Sequence, residues 1–215
     1  MKETASILAG LGPEKNSQFE DFARMIEEGN KIHNLTRVTG LEQIRIRHFE
    51  DSLAALPELE RLAEGKGLRI IDVGSGAGLP GLAIAIARPQ WRVTSLDGTG
   101  KKVRFQQDVI RQLGLKNAEA IHGRAEELAR DGGWRGKFDA ALARALGDLA
   151  KVAKLALPLV RAGGEALAWK GPAAENEIEN ARETIGRMAG EIDRLPYRLE
   201  IDGQQRQYTI VVIRR

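Results

Sequence analysis

The stretch Ile70-Ile71-Asp72-Val73-Gly74-Ser75-Gly76-Ala77-Gly78-Leu79-Pro80-Gly81 decides how the chain is read. An apolar run meets a carboxylate, four glycines follow within eight residues, and an apolar helix-like segment comes next. Glycines at this spacing let the backbone turn tightly and let a ligand approach the main chain. The pattern predicts a strand, a glycine loop and a helix N-terminus, the usual seat of a nucleotide-like ligand.

Strands and helices alternate on the C-terminal side of Gly65-Lys66-Gly67. The predicted strands are Arg69–Val73, Trp91–Leu96, Ala118–His122, Phe138–Ala143 and Glu165–Trp169. The predicted helices between them are Pro80–Ala87, Gly100–Leu113, Ala125–Arg130 and Gly147–Val160. This alternation is the signature of a doubly wound α/β fold with a mostly parallel sheet. After Gly171-Pro172 a charged helix spans Ala174 to Met188, and strands are expected over Leu195–Ile201 and Gln207–Ile213. Asp202-Gly203 between them is a hairpin signal, so the sheet is expected to end on an antiparallel strand.

Upstream of the glycine loop, residues from Ser17 to about Leu62 read as helices. Phe19, Phe22, Ala23 and Ile26 recur at helical spacing. Ser17 with Glu20 forms a candidate capping box, and Gly29-Asn30 a stop. A polar loop to Thr36 is expected to bury Ile32 and Leu35. Helices over Leu41–Phe49 and Ser52–Leu62 complete the segment. The chain therefore divides into a helical extension over residues 1–64 and a ligand-binding domain over residues 68–215.

Composition narrows the function classes. The 215 residues are 42% hydrophobic, enough for one good core. The net charge of +3 permits a polyanionic partner without demanding one. With no cysteine, a disulfide, a thiolate metal site and a catalytic thiol are excluded. Three scattered histidines assemble no metal-ligand set. Neither a signal-peptide core nor a membrane-spanning run is evident, so a cytoplasmic protein with no membrane partner is expected. Monomer is the default expectation for oligomeric state.

Two ligands compete for the glycine loop. Gly76-Ala77-Gly78-Leu79-Pro80-Gly81 matches the dinucleotide fingerprint, a weak signal alone. Asp72, however, ends the strand just before the first glycine. A carboxylate there repels a pyrophosphate and suits a ligand carrying positive charge, as S-adenosylmethionine does on its amino group and sulfonium. Asp72-x-Gly74-x-Gly76-x-Gly78 has the form of the first motif of class I methyltransferases. Asp97 ends the next strand, where an acid bonds ribose hydroxyls in both ligand families. The two acids at equivalent strand ends favour a Rossmann-like methyltransferase of class I, with the helical extension in front. An NAD-dependent oxidoreductase is the competing reading of Gly76 to Gly81.

Absences restrict the methyl acceptor. Attack on pyrimidine C5 needs a cysteine nucleophile. Methylation of adenine N6 uses an Asn/Asp-Pro-Pro-aromatic tetrad after the fourth strand, whereas this chain has no Pro-Pro pair and continues Ala143-Arg144-Ala145-Leu146. An acceptor with a free lone pair, such as guanine N7, needs no general base, and positioning with electrostatics then suffices. A small molecule or a protein as acceptor, or an RNA-binding module without catalysis, stays open from these residues alone.

From about Asn30 to the C-terminus the chain resembles the bacterial 16S rRNA guanine-N7 methyltransferases, the glucose-inhibited division protein B family. The resemblance rests on Asn30-x-x-x-Asn34-Leu35-Thr36, Arg47-His48-x-x-Asp51-Ser52, the Asp72–Gly81 stretch, Lys101-Lys102-x-x-Phe105, Arg124-Ala125-Glu126-Glu127, Phe138-Asp139 with Ala143-Arg144-Ala145, and Lys170-Gly171. It implies methylation of a guanine in the 530 loop of 16S rRNA, position 527 in the customary rRNA numbering, with 16S rRNA or the 30S subunit as partner. It also implies cofactor contacts at Gly74, Leu79, Ala125, Glu126 and Arg144, with Asp97 on the ribose. Gly98-Thr99-Gly100 departs from the serine that the family often shows after this acid.

The remaining candidates are weighed by position. Arg124 and Arg144 sit at the ends of the third and fourth strands and are read as catalytic-site residues. His48, Asp51 and Ser52 share one helix face at i, i+3 and i+4. That face either borders the transfer pocket, making His48 a third catalytic candidate, or docks the helices on the sheet. Lys101, Lys102 and Lys170 are the candidates for contact with substrate RNA, against the plainer reading of the first two as a solvated helix face.

Overall fold

The computed structural model describes residues 6–171, 174–188 and 190–215. Seven strands form one sheet: β1 (Arg69–Val73), β2 (Arg92–Asp97), β3 (Ala118–His122), β4 (Phe138–Arg144), β5 (Val160–Lys170), β6 (Glu191–Ile201) and β7 (Gln204–Arg214). Their spatial order is β3-β2-β1-β4-β5-β7-β6. β1 pairs in parallel with β2 through Ile70↔Val93 and with β4 through Ile70↔Ala140. β7 runs antiparallel between β5 and β6. The Asp202-Gly203 turn joins the last pair as a hairpin. Ile70, Ile71, Asp72 and Val73 are all buried, which is why this parallel strand reads as an apolar run rather than an alternation.

Nine α-helical segments connect and cover the sheet among the described residues: α1 (Pro13–His33), α2 (Leu41–Ile44), α3 (Asp51–Leu53), α4 (Leu56–Ala63), α5 (Gly81–Ala87), α6 (Gly100–Gln112), α7 (Ala125–Leu128), α8 (Leu149–Ala156) and α9 (Ala174–Arg187). A π-helical segment, Arg45–Glu50, joins α2 to α3 without a break. One sheet face carries the N-terminal helices together with α5 and α6. Their Phe22, Ile26, Phe49, Leu82 and Val109 form one buried cluster with Ile70 and Leu142. The other face carries α7, α8 and α9 over Ile71, Val73 and Ala141. Phe49 sits against Phe19 and Phe22, with ring centroids 4.9 and 5.3 Å away. Burying each such side chain is worth about 1.5–3 kcal/mol.

The N-terminal boundaries differ from the sequence reading. α1 starts at Pro13 behind Gly12, not at Ser17, because proline fits the first helical position. It continues through Gly29 and Asn30 to His33 and closes on Asn34 in the left-handed region. Gly29 is therefore not a stop. A Cβ there would lie 2.7 Å from the Phe105 ring, so glycine lets α1 approach α6. Ile32 is 76% exposed rather than buried. The two helices expected over 41–62 are divided elsewhere, by a turn at Ala54-Ala55. β5 and β6 begin several residues earlier than the pattern indicated, and Pro172 lies outside the described residues.

From the central neighbours β1 and β4 the chain leaves in opposite directions along the sheet. That switch point opens a crevice beyond their carboxyl ends, where doubly wound sheets bind ligands.

Candidate active site

The glycine loop is held by β2 and α6. Gly74, Gly76 and Gly78 have φ of 72°, 59° and 85°, conformations that favour glycine. Gly74 and Ser75 N–H groups donate to the Leu96 carbonyl at 2.8 and 3.1 Å. Gly76 N–H donates to Asp97 Oδ2 at 2.9 Å, and Thr99 N–H to Asp97 Oδ1 at 2.8 Å. Asp97 thus ties the loop to the β2 end while each of its oxygens keeps a second lone pair for a ligand hydroxyl. The Gly98-Thr99-Gly100 departure costs this arrangement nothing, since the contact to Asp97 comes from the Thr99 main chain.

Sequence reading missed Gln106, which is fully buried beneath the loop. Its Nε2 donates to the Gly76 carbonyl at 2.7 Å and its Oε1 accepts from Ser75 Oγ at 3.1 Å. The signal was present: a glutamine on the apolar face of α6, three residues from both Val103 and Val109.

Asp72 supplies the test for a cationic ligand. Its side chain is fully buried, and Oδ2 accepts from the Gly81 N–H at 2.8 Å. Oδ1 has no partner among the described residues. Burial pushes the carboxyl up to about 7, and the charge of Asp97 adds to this, while the Gly81 bond and the Arg144 charge oppose it. A buried carboxylate oxygen without a donor is expensive. An ammonium-bearing ligand in the crevice would satisfy it, so Asp72, the glycine loop and Asp97 fit S-adenosylmethionine.

Arg144 ends β4 and reaches back to the N-terminal helices. Its Nη1 donates to Asp51 Oδ2 at 2.8 Å and lies 3.4 Å from the His48 carbonyl. His48, Asp51 and Ser52 are therefore brought together as their spacing indicated, and all three meet Arg144. The His48 ring is 8% exposed. Burial, and then the Arg144 charge, pull its imidazole down to about 4, so it is neutral near pH 7. Its Nε2 lies 2.8 Å from Thr36 Oγ1, and its Nδ1 is 3.1 Å from the Arg47 carbonyl. Both ring nitrogens of His48 are thus engaged within the protein in this conformation.

The remaining candidates divide by exposure. Arg124 is exposed, and its guanidinium lies against Gly98, where an added Cβ would be 3.1 Å from Nε. Ala125 is buried at the start of α7, and Glu126 is exposed beside it. Leu79 is buried behind the loop. Lys101 is exposed and Lys102 half-buried at the start of α6. Lys170 differs from its reading as an RNA contact. Its side chain is 6% exposed, paired with Glu177 at 2.7 Å and donating to the Gly147 carbonyl at 2.5 Å. Its charge is already neutralised indoors. No group of three metal-ligating side chains occurs among the described residues. A groove of about 650 Å³ lies elsewhere, between the π-helical segment and β6, and contains none of these candidates.

The sheet order, the glycine loop and the acids ending β1 and β2 define a class I methyltransferase that uses S-adenosylmethionine. A solved SAM-dependent methyltransferase from Aquifex aeolicus shares the fold, at 17% identity and a TM-score of 0.50, covering 76% of this chain and 92% of that one. Residues 15–214 match the model of the family described as rRNA small subunit methyltransferase G, GidB, and the chain belongs to that family. A relative from Pelotomaculum thermopropionicum, named Ribosomal RNA small subunit methyltransferase G, is 40% identical over 199 residues, covering 92% of this chain and 81% of that one. A relative of the same name from Lactobacillus delbrueckii subsp. bulgaricus is 37% identical over 185 residues, covering 85% and 76%.

Proposed function

We propose that this protein methylates N7 of a guanine in 16S rRNA, the 530-loop guanine implied by the family resemblance. The observation that carries this reading is the alignment, over most of the chain, with relatives named for methylation of small-subunit ribosomal RNA. When bound, S-adenosylmethionine would supply an electrophilic methyl group, its methyl–sulfur bond breaking to release adenosylhomocysteine as the N7 lone pair forms the new bond, without prior loss of a proton.

The chain's own residues do the positioning. Asp72 holds the ligand amino group through its unpartnered Oδ1, and Asp97 takes the ribose hydroxyls. The glycine loop, with Leu79 behind it, sets the depth at which the ligand sits. Arg144, anchored to Asp51, directs its remaining guanidinium edge into the crevice. Ala125 and Glu126 border the base end. Arg124, Lys101 and Lys102 lie on exposed or half-exposed surface near the strand ends and meet RNA phosphates. No residue here is assigned to remove a proton, which suits an acceptor that has none to lose.

The working setting is the cytoplasm, with a monomer acting on 16S rRNA or the 30S subunit. No helix among the described residues is long and apolar enough to cross a membrane. The test is transfer of a labelled methyl group to 30S subunits and to naked 16S rRNA that lack the mark. N7-methylguanine is then located by reduction and aniline scission. One modified guanine is expected. Label on protein or on a small molecule, with none on rRNA, would sink the reading.

A further inference from the structure

Arg144 is held by contacts that extend to the far edge of the sheet. Its ion pair with Asp51 is enclosed, with side chains 16% and 13% exposed. The other oxygen of Asp51, Oδ1, accepts from the Tyr197 hydroxyl of β6 at 2.5 Å. The Asp51 carbonyl accepts from Trp169 Nε1 of β5 at 2.8 Å. Tyr197 stacks on Tyr208 of β7, with ring centroids 5.7 Å apart. At the tip of the same hairpin, Asp202 receives Gln43 Nε2 at 3.1 Å and Arg47 Nη2 at 3.0 Å. The β6–β7 hairpin therefore grips residues 41–53 at two points, and one of them is the residue that holds Arg144.

A carboxylate with a separate donor on each oxygen has its plane fixed. A guanidinium bonded through Nη1 keeps its other N–H groups free in a rigid fork. Arg144 Nε makes no hydrogen bond among the described residues, and Nη2 reaches only His48 Nδ1, at 3.5 Å. If the Tyr197 bond is lost, Asp51 can rotate about its side-chain axis and carry the guanidinium with it. Enclosed ion pairs contribute little to net stability compared with apolar packing, so this polar cluster is better explained by the orientation it imposes.

We propose that Asp51 and Tyr197 are positioning residues for Arg144: the Tyr197 hydroxyl, acting through Asp51, sets the direction of the guanidinium edge that meets the bound ligands. The proposal rests on Arg144 being an active-site residue. It makes the β6–β7 hairpin part of the active-site machinery, although Tyr197 is remote from the glycine loop in sequence.

The experiment is a double-mutant cycle with Tyr197→Phe and Arg144→Lys, in which the phenylalanine keeps the ring and its stacking. It is read in the Kd for adenosylhomocysteine and in kcat/KM for methyl transfer to the 30S subunit, with Tm recorded for each variant. Tyr197→Phe is expected to weaken whichever function Arg144→Lys weakens, by about tenfold, read as a raised Kd or a lowered kcat/KM, with little change in Tm. In the Arg144→Lys background the same substitution is expected to do nothing further. Multiplying effects, or a Tyr197→Phe variant equal to wild type beside a damaged Arg144→Lys, would overturn the relay. An Arg144→Lys variant equal to wild type in both quantities would remove the active-site role of Arg144 and the relay with it. Failure of the rRNA reading shows separately, as wild-type protein that binds adenosylhomocysteine but leaves rRNA unmethylated, and the binding cycle still decides the relay.

Discussion

The Gly81 N–H donates to Asp72 Oδ2 at 2.8 Å, and a Cβ at Gly81 would stand 2.8 Å from Asp72 Cβ. Helix α5 begins directly against the carboxylate that ends β1. The fixed donor settles one oxygen of Asp72, and the other, Oδ1, has no partner among the described residues.

Gly81→Ala is therefore expected to force the helix start and the acid apart. Overpacking of this kind costs about 1–3 kcal/mol, which in a chain of this size lowers Tm by roughly 2–4 °C per kcal/mol. Adenosylhomocysteine binding should weaken by more than about tenfold, because Oδ1 moves with the carboxyl. Thermal denaturation and titration calorimetry check both effects. Wild-type affinity in the variant would show that this close approach does not set the ligand site.

Asp72 and His48 give opposite pH dependences. The Asp72 carboxyl lies at about 7 in the fold against an ordinary 3.8, so between these values the folded state holds a proton that the unfolded chain does not. Its effect is to lower stability as pH rises through that window. His48 lies at about 4 against an ordinary 6.5, so the unfolded chain holds the extra proton and stability falls as pH drops through that window. The two slopes oppose one another near pH 5–6. Relative to wild type, Asp72→Asn should gain Tm as pH rises from 5 to 8, and His48→Gln should gain Tm as pH falls from 7 to 5. Scanning calorimetry across pH measures the differences. A ligand that needs ionised Asp72 should also bind wild type about tenfold more weakly for each pH unit below 7.

Gln106→Leu is expected to release the glycine loop without opening a cavity. It removes the bonds to the Gly76 carbonyl and to Ser75 Oγ. Ser75 Oγ keeps the Leu96 carbonyl as acceptor, but leaving the Gly76 carbonyl without its donor costs about 1–3 kcal/mol. Faster amide exchange over residues 74–78 and weaker adenosylhomocysteine binding are the expected readouts. Unchanged exchange there would show that β2 and Asp97 hold the loop alone.

The lysines separate surface charge from buried charge. Lys101→Ala and Lys102→Ala should each reduce the salt dependence of rRNA binding by about one unit of slope. Lys170→Met should leave the slope unchanged and lower Tm instead, because its ammonium is spent on Glu177 and the Gly147 carbonyl. RNA binding measured across a salt series distinguishes the two. A reduced slope for Lys170→Met would restore its reading as an RNA contact.

The sequence by itself determined what short-range chemistry dictates. Apolar runs between turn residues placed the parallel strands, the glycine spacing placed the loop, and acids at two strand ends pointed to a cationic nucleoside ligand. Asp202-Gly203 gave the final hairpin for the same reason, since its turn chemistry is local. Only the tertiary structure decided where β7 enters the sheet, because strand order depends on pairing between distant segments. It also decided that Gly29 serves helix contact rather than helix termination, that Gln106 braces the glycine loop, and that Lys170 is spent inside. Most of all it joined Arg144 to Asp51 across 93 residues and Asp51 to Tyr197 across 146. A hydrogen bond between side chains so far apart leaves no periodicity in the sequence. It exists only once the sheet and the N-terminal helices have closed on a shared core.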